Sequence, residues 1–248
     1  MVTIACGHHH FTDIQAIFFD KDGTLEDSQA FLRQLTEYCL QQVAQDWPEL
    51  LPVYTQALGY ANGQLNPMGL MAVGSRQDNE IALGALIATQ GKSWFESLMI
   101  ARDCLHQADL ACQAAPMVSP LFPGTMALIT RLWSSSLPLG IISAARTVSV
   151  EKFIERHQLS SYFVLGMGAD QGFRKPDPRL YRLACERLGV EPRRTLMIGD
   201  SEGDMAMAKQ AGAKAIAVQH YPGIDHSFLQ ADVTITHFQE IQIVGLSQ

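Results

Sequence analysis

Short apolar runs recur along the chain, each closed by a polar or turn residue. The first is Ile14 to Phe19, ended by Asp20 and the Gly23-Thr24 turn; others are Leu139 to Ile142, Tyr162 to Leu165, Thr195 to Ile198 and Ala215 to Val218. Runs this short that do not alternate with polar residues are expected of strands buried on both faces. Between them, apolar residues recur at helical spacing in Thr125 to Trp133, Val148 to Arg156, Pro178 to Leu188 and Met205 to Ala211. Strands alternating with helices of that length predict an α/β fold, a parallel sheet between helical layers.

Between residues 26 and 118 the texture changes. Helical periodicity appears in Phe31 to Val43, Ile81 to Thr89 and Trp94 to Leu110, with no convincing strand between them. This predicts an all-helical insertion over 26–118 in a core made of 1–25 and 119–248, with Pro116 to Pro123 marking its exit. Asn62-Gly63, Asn66-Pro67, Gly69 and Gly74 read as its internal loops, and Met68 to Asn79 as a mobile polar loop carrying Arg76. The N-terminal MVTIACGHHHFTDI has no basic segment leading into a long apolar one and reads as a mobile terminus without a secretory signal; His8-His9-His10 is a weak metal patch at most.

Composition narrows the class of partner. The 248 residues carry 18 Lys plus Arg and 25 Asp plus Glu, a net charge of 18 − 25 = −7, and 47% are hydrophobic, which excludes a disordered chain. An acidic chain without a basic run argues against nucleic acid or an anionic membrane as partner. No apolar stretch approaches the roughly 20 residues needed to span a bilayer, so a cytoplasmic location is expected. The cysteines Cys6, Cys39, Cys104, Cys112 and Cys185 are odd in number and form no C-x-x-C pair, so reduced thiols are expected.

Two acidic clusters directly follow apolar strands. In Asp20-Lys21-Asp22-Gly23-Thr24-Leu25, a period of two lets Asp20 and Asp22 project the same way from a strand's C-terminal end, the edge where open α/β sheets bind ligands. In Gly199-Asp200-Ser201-Glu202-Gly203-Asp204, a helix starting nearby would place Asp200 and Asp204 one turn apart. Asp is also a common turn and cap residue, but two such clusters at one edge would repel one another unless a cation sat among them. Mg²⁺, which takes one or two carboxylates plus waters and a substrate phosphate, suits so open an arrangement. Lys175, before the stiff Pro176-Asp177-Pro178 turn, can hold a phosphate or neutralise a carboxylate, and Ser143 ends the strand Ile141-Ile142 with a hydroxyl donor.

In this order the four features resemble the haloacid dehalogenase superfamily, whose pattern is Asp-x-Asp-Gly-Thr, a strand ending in Ser or Thr, a Lys, and Gly-Asp-x-x-x-Asp. Lys175 to Pro178, Gly199 to Asp204 and Ala211-Gly212 look most like the branch of phosphoglycolate phosphatases and β-phosphoglucomutases, which also carries a helical cap between the first two motifs. The resemblance implies a Rossmann-like core with the 26–118 insertion as cap, closing over the site to select a small phosphorylated metabolite. It implies that Asp20 attacks phosphorus, that Asp22 serves as general acid and base, and that Ser143 and Lys175 hold phosphoryl oxygens. Mg²⁺ would be held by Asp20, the Asp22 carbonyl and Asp200, with Asp204 in support. Arg76, on the Met68 to Asn79 loop that could reach the site, is one substrate-selecting candidate; Arg146 is another, since Ala144-Ala145-Arg146 departs from the polar residue that relatives often carry after the motif hydroxyl. A monomer or weak homodimer is expected.

Two further enzyme readings stay open. Gly199-Asp200-Ser201-Glu202-Gly203 also fits the G-x-S-x-G elbow of serine α/β-hydrolases, with Asp225, His226, Asp232 and His237 following, although only 45 residues remain after Gly203. A phosphosugar mutase of the same superfamily is the other. An EF-hand at Asp20 fails, because Leu25 and Phe31 stand where Gly and Glu are required. Gly166-Met167-Gly168 lacks the third glycine of a dinucleotide loop, since Gln171 stands there.

Overall fold

The computed structural model describes residues 2–221 and 230–246. The chain opens with β1 (Val2–Cys6), β2 (His9–Ile14) and β3 (Ala16–Phe19). It continues through α1 (Gln29–Asp46), α2 (Leu51–Leu58), β4 (Tyr60–Ala61), β5 (Gln64–Leu65), α3 (Leu70–Val73), α4 (Arg76–Ala88) and α5 (Trp94–Ala114). After α6 (Thr125–Ser134), β6 (Leu139–Ile142), α7 (Thr147–Arg156) and β7 (Phe163–Met167) come α8 (Pro178–Leu188), β8 (Thr195–Gly199), α9 (Glu202–Ala211), β9 (Lys214–Val218), β10 (Val233–Ile235) and β11 (Ile241–Leu246). Two compact units result, one of Met1–Asp27 with Leu121–Gln248 and one of Ser28–Pro120.

In the first unit β10-β9-β8-β3-β6-β7 form a parallel sheet with β3 inside it. The period of two sorts each strand between two cores. Ile17, Phe19, Leu139, Ile141, Leu196 and Ile198 pack on one face, where α6 and α7 supply Leu128, Leu132, Val150 and Phe153. Phe18, Ile142, Met197, Ala215 and Ala217 pack on the other, against Leu180 and Tyr181 of α8 and Met205 and Ala208 of α9. Burial on both faces explains why the strands read as unbroken apolar runs. The connecting helices carry the expected stops: Asp177 caps α8 ahead of Pro178, and Gly189 (φ 64) and Gly212 (φ 94) end α8 and α9 in the left-handed region.

The structure corrects three expectations. The N-terminus is the centre of an antiparallel sheet ordered β11-β1-β2, in which Val2, Ile4, Cys6 and Phe11 are buried. His8, His9 and His10 are exposed at its turn and along β2, and no metal-binding group among the described residues includes them. The insertion is helical apart from the β4-β5 hairpin, whose Asn62 (φ 51) and Gly63 (φ 74) are the left-handed pair that a tight two-residue turn requires. Met68 to Asn79 is no loop: α3 and the start of α4 occupy most of it, and Ser75 and Asp78 form a capping box that fixes the start of α4. The insertion has its own core, with Tyr54, Leu58, Leu83, Ile87 and Leu105 buried. All five cysteines are free and buried, and among the described residues no helix is long and apolar enough to cross a membrane.

Packing between β3 and β6 leaves no slack. Gly140 pairs with Phe18, and a Cβ on Gly140 would lie 2.7 Å from the Phe18 ring, which is itself braced edge-on by Tyr181 at 5.1 Å. Gly140→Ala is expected to destabilise the fold by roughly 1–3 kcal/mol, read as a lower urea midpoint with an unchanged slope; an unaltered midpoint would contradict this account of the sheet.

Candidate active site

Three adjacent strands, β8, β3 and β6, end at one edge, and each is followed by a polar residue: Asp200, Asp20 and Ser143. The sheet carries on for one residue past two of these ends. Asp20 N–H donates to Ile198 at 2.9 Å, and Ser143 N–H donates to Met167 at 2.9 Å. Asp20 and Ser143 are therefore set by sheet geometry, with only 7% and 1% of their surfaces exposed.

After Asp20 the chain folds back on itself. Leu25 and Glu26 N–H both donate to the Lys21 carbonyl, at 2.9 and 3.1 Å, and Gly23 N–H donates to the Glu26 carbonyl at 3.0 Å. Gly23 has φ 78, and a Cβ there would overlap the Asp200 carboxylate, so the glycine serves both the turn and the approach of Asp200. Thr24 Oγ1 donates to Asp200 Oδ1 at 2.8 Å.

Lys175 arrives from the segment between β7 and α8. Its Nζ lies 2.6 Å from Asp20 Oδ1 and 2.5 Å from Asp204 Oδ1. Asp204 is fully buried in the first turn of α9 and accepts from Ser201 Oγ at 2.6 Å, while its own N–H donates back to Ser201 Oγ at 3.2 Å. Gly199 leaves the room this needs, since a Cβ on it would stand 2.5 Å from the Asp204 carboxyl carbon. Ser201 is thus the cap of α9. Of the residues that the serine-hydrolase reading required, Asp232 pairs with Lys209 at 2.7 Å, His237 caps a 3-10 turn, and Asp225 and His226 lie outside the described residues.

The structure brings Asp20, Lys175, Asp200 and Asp204 into one group, with Ser143 at the same sheet edge. Asp22 follows Asp20 in the turn, but its carboxylate meets the Lys21 ammonium at 2.5 Å. Ser143 Oγ accepts from Ala145 N–H at 3.1 Å, and a hydroxyl that accepts there keeps its proton for another oxygen. Arg146 is exposed at the start of α7. Arg76 belongs to the second unit, where it pairs with Asp109 at 2.6 Å and Glu80 at 3.2 Å. Sequence reasoning gave no role to Thr24 or Lys21; the signal available was their place inside the first cluster.

Charge at the site is unbalanced. One oxygen from each of Asp20, Asp200 and Asp204 lies within 4.8 Å of the others, and Lys175 supplies one positive charge against three negative. Burial pushes the Asp20 carboxyl up to about 7, with Asp204 and Asp22 adding to the rise and Lys175 opposing it. Burial likewise raises Asp200 well above the ordinary carboxylate range, helped by Asp20 and Asp204. Burial alone would lower Lys175, but Asp20 and Asp204 outweigh it and hold the ammonium charged. An oxygen-only donor set short of positive charge fits a hard divalent cation.

Comparison with known proteins identifies a family and a fold. The haloacid dehalogenase-like hydrolase family matches residues 14–212. A phosphoglycolate phosphatase of Shigella boydii is 28% identical over 221 residues, 85% of this chain and 83% of that protein. Among solved structures, a predicted phosphoglycolate phosphatase from Haemophilus somnus superposes with a TM-score of 0.70 at 19% identity, covering 92% of this chain and 96% of that one. A putative β-phosphoglucomutase from Thermotoga maritima gives 0.59 at 20% identity, covering 90% and 94%. At such identities the two structures establish a shared fold.

The raised carboxyls make cation binding pH-dependent. Without a cation, the fold favours the protonated form of Asp20 and loses stability as pH rises from the ordinary 3.8 towards about 7. A divalent cation bound there would displace those protons and return the stability. The cation-induced rise in thermal midpoint is expected to be larger at about pH 7.5 than at about pH 5; an equal rise at both would contradict it.

Proposed function

The chain belongs to the haloacid dehalogenase-like hydrolases, and from that we propose that it is a Mg²⁺-dependent phosphatase that hydrolyses a small phosphate monoester through an aspartyl-phosphate on Asp20. The observation that carries the reading is the buried Asp20 carboxylate at the end of β3, with one oxygen held 2.6 Å from Lys175 Nζ and Asp200 beside it.

The residues divide the work as follows. Asp20 Oδ1 is engaged by Lys175, so Oδ2 is the oxygen that attacks phosphorus; the new O–P bond forms as the ester O–P bond breaks, and the leaving alkoxide takes a proton from Asp22. Water then attacks the phosphorus of the acyl phosphate, gives its proton to Asp22 and restores Asp20. Lys175 and the Ser143 hydroxyl hold phosphoryl oxygens through this exchange. Mg²⁺, bound by the Asp20 and Asp200 carboxylates and the Asp22 carbonyl, would neutralise charge on the transferring group. Asp204 keeps Lys175 in place from behind. The name of the Shigella relative makes a short phosphorylated acid the first substrate to assay, and release of inorganic phosphate separates a hydrolase from a mutase.

Asp20→Asn preserves shape but cannot form the acyl phosphate, so it is expected to abolish phosphate release while the protein still unfolds cooperatively; activity within about tenfold of wild type would exclude Asp20 as nucleophile. Asp22→Asn is expected to slow phosphoenzyme formation from an alkyl phosphate by ~10²–10⁴-fold, and to slow it far less for an aryl phosphate, whose leaving group needs no proton. Single-turnover kinetics on the two esters measures this, and equal losses would assign the proton transfer elsewhere.

A further inference from the structure

The turn after β3 also carries Lys21 and Glu26, two buried charges that the steps above do not use. Lys21 is only 6% exposed, and its Nζ meets Asp22 Oδ1 at 2.5 Å and Glu26 Oε1 at 2.8 Å. Glu26, 2% exposed, is held from the other side by Arg156 Nη2 at 2.7 Å and lies 3.4 Å from His157 Nε2, both at the end of α7. The Lys21 ammonium also sits 5.8 Å from the centre of the Phe153 ring, one turn earlier on that helix. The backbone fixes the same group, because Glu26 bridges Asp22 on one side and Leu121 on the other.

Geometry sets Lys21 apart from Lys175. Lys175 spans Asp20 and Asp204, whereas the carboxylates that Lys21 contacts are Asp22 and Glu26. A buried lysine is a poor device for stability alone, since its partners return the desolvation cost only in part and an apolar side chain of similar length would pack there without it. It is a good device for fixing the direction of a carboxylate, because a charge-assisted hydrogen bond is both short and oriented.

We propose that Lys21 is a positioning residue for Asp22: anchored by Glu26, which α7 holds through Arg156, it sets where the Asp22 carboxylate stands when substrate arrives. This rests on the reading of Asp22 as the acid and base of phosphoryl transfer. Among the described residues the ion pairs of Lys21 are with Asp22 and Glu26, whereas Asp20 is paired with Lys175. Its effect therefore passes through Asp22 and vanishes when Asp22 cannot carry a proton.

The test is a double-mutant cycle on the full chain with Mg²⁺, using one alkyl and one aryl phosphate. Lys21→Met is expected to lower kcat for the alkyl ester by at least about tenfold, to lower it much less for the aryl ester, and to leave KM nearly unchanged. In the Asp22→Asn background the same substitution is expected to cost nothing further, since residues acting as one unit are not additive. A full additional loss in that background, or no loss in the wild type, overturns the proposal. Should Asp22→Asn itself slow both esters equally, the assignment of Asp22 fails and the proposal falls with it, an outcome distinct from the other two. Where Lys21→Met does not fold, Glu26→Gln, which keeps volume and backbone and removes the anchoring charge, is read in the same cycle, with a smaller, leaving-group-dependent loss that is absent beside Asp22→Asn.

Discussion

The ammonium of Lys175 lies between two carboxylates, 2.6 Å from Asp20 and 2.5 Å from Asp204, in a place that water scarcely reaches. Asp204 can stand there because it is the third residue of α9, closing the capping box that Ser201 opens, and because Gly199 presents no Cβ to it. A cap, a glycine and a strand end thus fix a lysine from a distant loop, and the lysine fixes the oxygen of Asp20. Removing one partner would leave an uncompensated buried charge, which is far more costly than never having built the group.

That arrangement is also why the site calls for a cation. One ammonium cannot neutralise three carboxylates, and burial raises both Asp20 and Asp200 towards their neutral forms. A neutral Asp20 could not attack phosphorus. A bound dication and an arriving phosphate would change the sum of charges together, so the same crowding that opposes ionisation of the carboxylates alone would favour a reacting group that carries charge of its own.

Much of this was legible in the sequence, for a physical reason. Strands β3, β6 and β8 are buried on both faces and so read as apolar runs; Asp20, Ser143 and Asp200 follow those runs directly, and strand ends at one sheet edge are brought together by topology alone. What escaped depends on partners far apart in the chain. The pairing of β1 with β11 joins Val2 to Leu246, and nothing local in MVTIAC or its histidines announces it. Arg76 looked like a loop residue because Gly69 and Gly74 shortly precede it, yet the Ser75-Asp78 box starts a helix there. Lys21 and Glu26 stood in plain view as charges, but their meaning comes from Arg156 and His157, some 130 residues away.

The proposed mechanism requires Asp20 to carry the phosphoryl group during turnover. The direct measurement is to quench the protein in acid while it hydrolyses a phosphate monoester with Mg²⁺, reduce it with borohydride, and sequence the peptide around residue 20 by mass spectrometry. An aspartyl-phosphate is reduced to homoserine, whereas a free carboxylate is untouched. Homoserine at position 20, appearing only with substrate, is expected; an unchanged Asp20 in samples that are releasing phosphate, or phosphate recovered on Ser201, would exclude Asp20 as the nucleophile.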